Sequence, residues 1–155
     1  MNNNFKIHEK WMRFAIVEAI KALENGDVPI GAVIVRENNV IGKGFNQVET
    51  LNDSTAHAEM IAITAASNTI NDWRLTDSYI FVTKEPCPMC AQAISFSRIR
   101  RLYFGAYDSK NGAVDHGVKI FSQKFCNHKP EIIGSLEEKK CSDILKEFFE
   151  RRRLA

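Results

Sequence analysis

The sequence predicts an α/β domain with three layers, in which helices cover both faces of a five-stranded mixed sheet. Two observations carry this prediction. Apolar runs with strand character alternate with helical patterns along the chain, and the first two runs are close enough to form an antiparallel hairpin. The chain of 155 residues is long enough to bury a substantial core. Because no repeat, linker or low-complexity segment interrupts the pattern, we expect residues 1–155 to form one domain.

The first predicted element is an amphipathic helix over residues 8–25, which ends at Asn25-Gly26. Its apolar stripe is assigned to the core and comprises Met12, Ala15, Ile16, Ala19, Ile20 and Leu23. The charged residues that fall largely outside this stripe are Glu18, Lys21 and Glu24.

The predicted hairpin begins with residues 30–35, a continuous apolar run typical of a strand buried on both faces. After a short turn, residues 40–46 return as the second strand. Gly42 and Gly44 interrupt this strand, where they either weaken it or allow another element to approach its backbone. Asn46 ends the strand.

The remaining elements continue the alternation. Residues 56–66 are apolar nearly all round and predict a buried helix. The later predicted elements are a strand at 79–83, a helix that reaches about residue 96, a strand at 101–105, a loop over 106–130, a short strand at 131–133 and a helix at 136–153. A loop of this length is usually functional or mobile. We expect its two histidines, His116 and His128, to be surface or hydrogen-bonded groups.

Two short segments carry chemistry: residues 55–59, with the sequence TAHAE, and residues 86–90, with the sequence PCPMC. His57, Cys87 and Cys90 offer one imidazole and two thiolates, a donor set that suits tetrahedral Zn²⁺. Three protein ligands leave one position open, as in catalytic zinc sites. Two thiolates and a neutral imidazole balance the charge of the metal, so that a bound water can lose a proton near neutral pH.

The spacing within each segment constrains where it can lie on a helix. The two cysteines are one helical turn apart, and Pro88 suits the first position of a helix. His57 and Glu59 are only two residues apart, so both can face one metal only at a helix end, for which Thr55 is a candidate N-cap. Glu59 is not needed as a ligand and is therefore free to carry protons.

The charge distribution is uneven, although the net charge is only +2. Residues 1–94 carry eight basic and eleven acidic side chains, whereas residues 95–155 carry thirteen and eight. A basic C-terminal part fits a polyanionic partner, but charge alone favours an ordinary solvated surface. The polar start and the absence of any long apolar run predict a cytoplasmic protein without a membrane partner. Cys126 and Cys141 are expected to be free thiols.

Taken together, the two motifs match the signature of zinc-dependent nucleobase deaminases, whereas a Cys-x-x-Cys pair alone would also fit a redox pair or a structural zinc knuckle. From about Trp11 to Arg153 the chain resembles the bacterial tRNA-specific adenosine deaminases of the cytidine deaminase superfamily. The blocks that carry this resemblance are residues 11–13, 28–33, 55–59, 85–90 and 104–106, followed by Asp108, Lys110, residues 112–113, 127–128 and 148–149.

The resemblance implies a cytidine-deaminase-like fold and a homodimer that deaminates the wobble adenosine of a tRNA anticodon stem-loop to inosine. It implies one Zn²⁺ per subunit, held by His57, Cys87 and Cys90, with Glu59 moving the protons. It further implies base contacts from Asn46 and a base pocket shaped by Val28, Pro29, Ile30 and Ala58. Contacts with flanking nucleotides are implied for Asp108, Phe149, Arg152 and Arg153.

Three features depart from the family pattern: Lys84, where an apolar residue is usual, Tyr107, where a basic one is frequent, and the segment after residues 112–113. Alternative activities are a free-base guanine deaminase and a cytidine or deoxycytidylate deaminase of the same fold, against which the downstream blocks argue. A non-catalytic zinc module that binds RNA is a further alternative, but it needs no Glu59 and normally has four protein ligands.

Overall fold

The computed structural model describes residues 3–154 and contains one five-stranded sheet. Its strands are β1 (Gly31–Arg36), β2 (Asn39–Phe45), β3 (Tyr79–Lys84), β4 (Arg101–Ala106) and β5 (Glu131–Ile133). They lie in the order β2-β1-β3-β4-β5. Strand β1 pairs antiparallel with β2 and β3, whereas β3, β4 and β5 run parallel. The predicted mixed sheet and its N-terminal hairpin are confirmed.

The helices are α1 (Asn3–Glu24), α2 (Val48–Leu51), α3 (Ala58–Ile70), α4 (Pro88–Phe96) and α5 (Glu138–Leu154), with a 3₁₀ turn over Ile120–Ser122. The sequence did not predict α2, a single turn, and it ended α3 four residues early. The polar start that supported the cytoplasmic prediction includes residues 1–2, which lie outside the described residues. Within residues 3–154, no helix has both the length and the apolar character that crossing a membrane requires.

Alternate residues of the central strands belong to two separate core layers. Ile34 and Ile80 pack in the layer that contains α3 and α4. Val33 and Phe81 pack in the layer that contains α1 and α5. Because successive strand residues point to opposite faces, this division confirms the predicted arrangement of helices on both sides of the sheet.

The predicted core stripe of α1 is wrong at one position. Ile20 is 40% exposed, whereas Glu18, placed outside the stripe, is 4% exposed and accepts a hydrogen bond from Lys21 at 2.8 Å. The reason is the close approach of α1 to β1 at Gly31, where an added Cβ would lie 2.0 Å from the carbonyl oxygen of Ala15. Only a face of small residues fits there, so the alanines of α1 turn inward.

The glycines of β2 let α3 pack directly on the strand backbone. A Cβ at Gly42 would lie 2.5 Å from the carbonyl oxygen of Ala62, and one at Gly44 would lie 2.5 Å from that of Ala58. Of the two expectations for these glycines, close approach is the one that holds. The contact fixes the position of the N-terminus of α3.

We predict that Gly42→Ala lowers the free energy of unfolding by about 1–3 kcal/mol, because the added methyl group overpacks a contact between two backbones. Urea unfolding measures the change. Glu150→Ala is the control, since this residue of α5 is exposed and surface substitutions usually change stability by less than about 0.5 kcal/mol. Equal stability of the wild type and Gly42→Ala would contradict the packing argument.

Candidate active site

The N-termini of α3 and α4 meet on one side of the sheet. His57 is the N-cap residue of α3 and Cys87 that of α4, and both have extended backbones. Pro88 occupies the first turn of α4, as predicted. The expectation that Thr55 caps α3 is wrong: its hydroxyl instead bonds the carboxylate of Asp53 at 2.7 Å.

The three predicted ligands converge at this junction. The Nδ1 atom of His57 lies 3.6 Å from the Sγ atom of Cys87 and 3.5 Å from that of Cys90. All three ligand atoms lie within 4.8 Å of one another. One imidazole and two sulfur atoms at this separation could hold a metal ion, and this donor set favours zinc.

The protonation of the two thiols supports a cation site. A hydrogen bond from Cys90 lowers the pKa of Cys87 to about 4, and the same contact raises the pKa of Cys90 above its ordinary value. Two neighbouring thiolates repel each other, so the pair carries a single negative charge until a cation binds between them. A zinc ion would compensate the negative charges of both thiolates, so these residues fit the metal.

Glu59 follows His57 by two residues in the chain and lies in the first turn of α3. Its side chain is buried, and burial raises the pKa of its carboxyl group above the ordinary value. A carboxyl group with a raised pKa holds a proton more readily, which suits a group that both takes up and donates protons. This geometry meets the condition set by the spacing, which required His57 and Glu59 at a helix end.

A cavity of about 670 Å³ opens beside this junction. Its volume lies within the range of small-molecule pockets, roughly 300–1,000 Å³. Ten of the thirteen predicted site residues line it: Val28, Ile30, Asn46, His57, Ala58, Glu59, Cys87, Asp108, Phe149 and Arg152. The other three do not line it. Cys90 and Pro29 are buried, and Arg153 is exposed.

Asn46 places a polar atom without a partner in this cavity. Its residue is 6% exposed, and its Oδ1 atom has no hydrogen-bond partner among the described residues. Its backbone N–H donates to the carbonyl of Ile30, which fixes the strand end on which the side chain stands. A buried polar atom left unpaired costs about 1–3 kcal/mol, so a ligand that hydrogen-bonds here gains binding energy.

Glu85 organises a wall of the cavity that sequence reasoning missed. Its carboxylate accepts backbone N–H bonds from Asp108, Val114, Asp115 and His116, all within 3.1 Å. The Nδ1 atom of His116 lies a further 2.8 Å from Oε1. One buried charge therefore holds the first part of the long loop. The only signal in the sequence was the position of Glu85 beside the cysteine motif, because its hydrogen-bond partners all lie far away in the chain.

The cavity lining contains three cationic side chains, Lys84, Lys110 and Arg152, and the Nζ atom of Lys84 pairs with the carboxylate of Asp108 at 2.8 Å. It also contains the acidic residues Asp27, Glu49, Glu59 and Glu85. The ring of the half-exposed Tyr107 makes an edge-to-face contact with that of Phe104. His116 and His128 are both hydrogen-bonded, as expected, the second through Nε2 to the carbonyl of Ile99 at 2.7 Å. The free thiols expected at Cys126 and Cys141 are also confirmed.

Comparisons with known proteins agree with this site. The family model of the cytidine and deoxycytidylate deaminase zinc-binding region matches residues 5–106. A tRNA-specific adenosine deaminase of Agrobacterium fabrum is 49% identical over 93% of this chain and 95% of its own length. A solved structure from a study of A-to-I editing by tRNA:A34 deaminases at the wobble position is 48% identical and superposes with a TM-score of 0.86, covering 88% of this chain and 99% of that one.

A solved guanine deaminase of Bacillus subtilis is also similar, but less so. It is 36% identical to this chain and superposes with a TM-score of 0.61. The match covers 69% of this chain and 66% of the guanine deaminase chain. The relatives named for tRNA thus match over more of the chain and at higher identity than this free-base enzyme. The chain therefore belongs to the tRNA-specific adenosine deaminases, within the zinc-binding cytidine and deoxycytidylate deaminase family.

Proposed function

We propose that this protein deaminates the wobble adenosine of a tRNA anticodon stem-loop to inosine, consuming water and releasing ammonia. The observation that carries the proposal is the convergence of three groups on one cavity. These groups are the His57–Cys87–Cys90 cluster, the buried carboxyl of Glu59 and the unpaired amide oxygen of Asn46. A guanine deaminase remains the alternative, and it is less well supported because the solved example matches a smaller part of the chain.

The metal is assigned to His57, Cys87 and Cys90, one Zn²⁺ per subunit. Zinc held by three protein ligands lowers the pKa of a water to near neutrality and so makes a nucleophile available. The chain contributes the helix N-termini that present these ligands. The partial positive charge at the start of α4 favours the thiolate forms of Cys87 and Cys90.

Glu59 is assigned the proton transfers. It takes one proton from the attacking water and delivers it to the ring nitrogen beside C6 of the base. It then takes the second proton from the hydroxyl group added at C6 and delivers it to the amino group, which leaves as ammonia while the C6=O bond forms. Its burial supports this role, since a raised pKa lets one carboxyl act first as base and then as acid. The cavity shields it from bulk water.

The base is positioned by groups at the cavity wall. The Asn46 amide hydrogen-bonds the base edge, which satisfies the unpaired Oδ1 atom. The Ala58 N–H, at the first position of α3, has no partner within the helix and can donate to the base. Val28 and Ile30 line the cavity, and Pro29, which lies between them in the chain, is buried.

Flanking nucleotides are assigned to the cavity rim. Phe149 and Arg152 reach the cavity from the last turns of α5, which also carries Arg151 and Arg153. An exposed aromatic ring stacks on an unpaired base, and arginines bind phosphates. Asp108, which also lines the cavity, is assigned a contact with a flanking nucleotide.

We also propose that the protein is a single-domain homodimer that acts in the cytoplasm, with both subunits contributing to the RNA site. A shallow apolar groove between α2 and α3 supports the dimer. The groove is lined in part by Leu51, Ala56, Met60, Ile61 and Ala65. Because α3 also carries His57 and Glu59, a partner in this groove would lie near the active site.

We predict that the purified, zinc-loaded protein converts only one substrate of a defined panel. The panel contains an anticodon stem-loop with adenosine at the wobble position, the same loop with guanosine there, free adenosine, guanine and cytidine. Ammonia release and the one-dalton mass gain of the product report turnover. Turnover of the adenosine stem-loop is expected, whereas turnover of guanine instead would favour the alternative.

We predict that Cys87→Ser and Glu59→Gln both lose activity, but that only Cys87→Ser loses zinc. Cys87→Ser loses bound zinc as well as activity because a metal ligand is gone. Glu59→Gln keeps about one zinc per chain but loses at least about a hundredfold in kcat, the usual share of general acid–base catalysis. Metal analysis beside kinetics measures both effects, with Cys126→Ser as the control that retains zinc. A Glu59→Gln variant as active as wild type would disprove the proton transfers.

For the dimer, we predict that Leu51→Lys shifts the protein from twice the chain mass to the chain mass in light scattering. The substitution places a charge in the apolar groove at a residue that is already exposed, so that the fold is spared. Val40→Lys, at an exposed apolar residue outside the groove, is the matched control. Wild-type protein that is monomeric at all concentrations would contradict the proposed dimer.

A further inference from the structure

We propose that His116 is a positioning residue for RNA binding, which acts through the buried carboxylate of Glu85 to hold one wall of the active-site cavity in place. This wall, formed by residues 108–118 after β4, is called the loop wall below. The inference rests on the proposed function, because it assumes that nucleotides of the stem-loop lie against this wall.

The loop wall supplies one side of the cavity lining. Its lining residues are Asp108, Lys110, Asn111, Gly112, Gly117 and Val118. A lysine and an asparagine are side chains of the kinds that hydrogen-bond phosphates and base edges. Because all of these residues belong to a loop, they stay in place only while the loop keeps its conformation.

The loop wall folds around the carboxylate of Glu85, whose side chain is 0% exposed. Its Oε2 atom accepts the backbone N–H groups of Val114, Asp115 and His116 at 2.9–3.1 Å. Gly112 packs directly on the same carboxyl group, where an added Cβ would lie 2.6 Å from Oε2. A buried charge is stable only while donors surround it, so the carboxylate and the loop stabilise each other.

The imidazole of His116 completes this arrangement at the other oxygen. The Oε1 atom of Glu85 accepts the backbone N–H of Asp108 at 3.1 Å and lies 2.8 Å from Nδ1 of His116. Because an ionised carboxylate can only accept, Nδ1 is the donor. Among the described residues, His116 is the one partner that bonds Glu85 through its side chain. A substitution there removes a single donor and leaves the backbone donors in place.

The loop folds back on itself directly after His116. Gly117 has a φ of +56°, and a Cβ added there would lie 2.6 Å from the carbonyl oxygen of Gly112. The ring of His116 also makes an edge contact with that of Tyr107, with centroids 6.0 Å apart. The His116 side chain is 37% exposed and does not line the cavity. Its contacts therefore hold the loop rather than the substrate.

Loss of the His116 donor is expected to loosen the loop wall before RNA binds. A loop that is no longer held must be ordered on binding, and this entropic cost lowers the affinity. The metal group and Glu59 lie at the N-termini of α3 and α4, outside the loop. The effect is therefore expected on KM and Kd, whereas kcat and zinc content are spared.

Three substitutions of His116 in the zinc-loaded full chain test the inference. His116→Leu and His116→Phe remove the donor, and the second keeps a ring beside Tyr107. Both are expected to raise KM and Kd for the adenosine stem-loop about three- to tenfold, the range that one hydrogen bond contributes, with kcat within about twofold of wild type. His116→Asn, which keeps an N–H donor at the same position of the side chain, is the matched control and is expected to bind as wild type.

Amide hydrogen exchange of the RNA-free protein separates positioning from direct contact with RNA. The amides of Val114 and Asp115, which bond Glu85, are expected to exchange faster in both donor-free variants than in wild type and His116→Asn. The amides of α3 are expected to exchange as in wild type, which shows that the fold is intact.

The inference is overturned if both donor-free variants bind as wild type, or if His116→Asn binds as weakly as His116→Leu. Weaker binding with unchanged exchange of the Val114 and Asp115 amides would mean that His116 contacts the RNA directly, which also overturns it. A loss of kcat or zinc at unchanged KM would contradict a role in binding. Wild-type protein that neither binds nor deaminates the stem-loop would overturn the proposed function itself, whereas a normal wild type with unaffected His116 variants overturns only the role of His116.

Discussion

The close packing of α3 on β2 is the constraint on which the site depends. Because Gly42 and Gly44 carry no side chain, the helix backbone lies directly against the strand, and the first turn of α3 is fixed in depth and direction. That turn carries His57 and Glu59. A helix displaced by one methyl group would carry both groups away from the cysteines of α4.

The site also depends on the end of β3 and the residues that follow it, each of which makes a different contact. Lys84 pairs with the side chain of Asp108, Glu85 binds the backbone of the long loop, and Cys87 joins the metal group. The strand therefore sets the metal ligand and the loop wall of the cavity together. Glu85 carries a buried charge, and four backbone donors and His116 compensate the cost of burying it.

The charged groups of the cavity fall into two sets, those assigned to catalysis and those assigned to RNA contacts. Inside, a thiol pair and a buried carboxyl form a site in which proton affinities are shifted. The lining also contains the cations Lys84, Lys110 and Arg152 and the carboxylate of Asp108, which pairs with Lys84. The groups assigned to catalysis and those assigned to RNA contacts are therefore different residues.

The sequence by itself determined the sheet, its antiparallel hairpin, the metal group and the position of Glu59, because strand periodicity and one-turn spacings are local properties. It did not determine the orientation of α1, where Glu18 is buried and Ile20 exposed, since that depends on how closely β1 approaches. Only the tertiary structure placed Glu85 and Lys84 against the loop after β4. Those contacts join residues more than twenty positions apart, and no pattern within either segment encodes them.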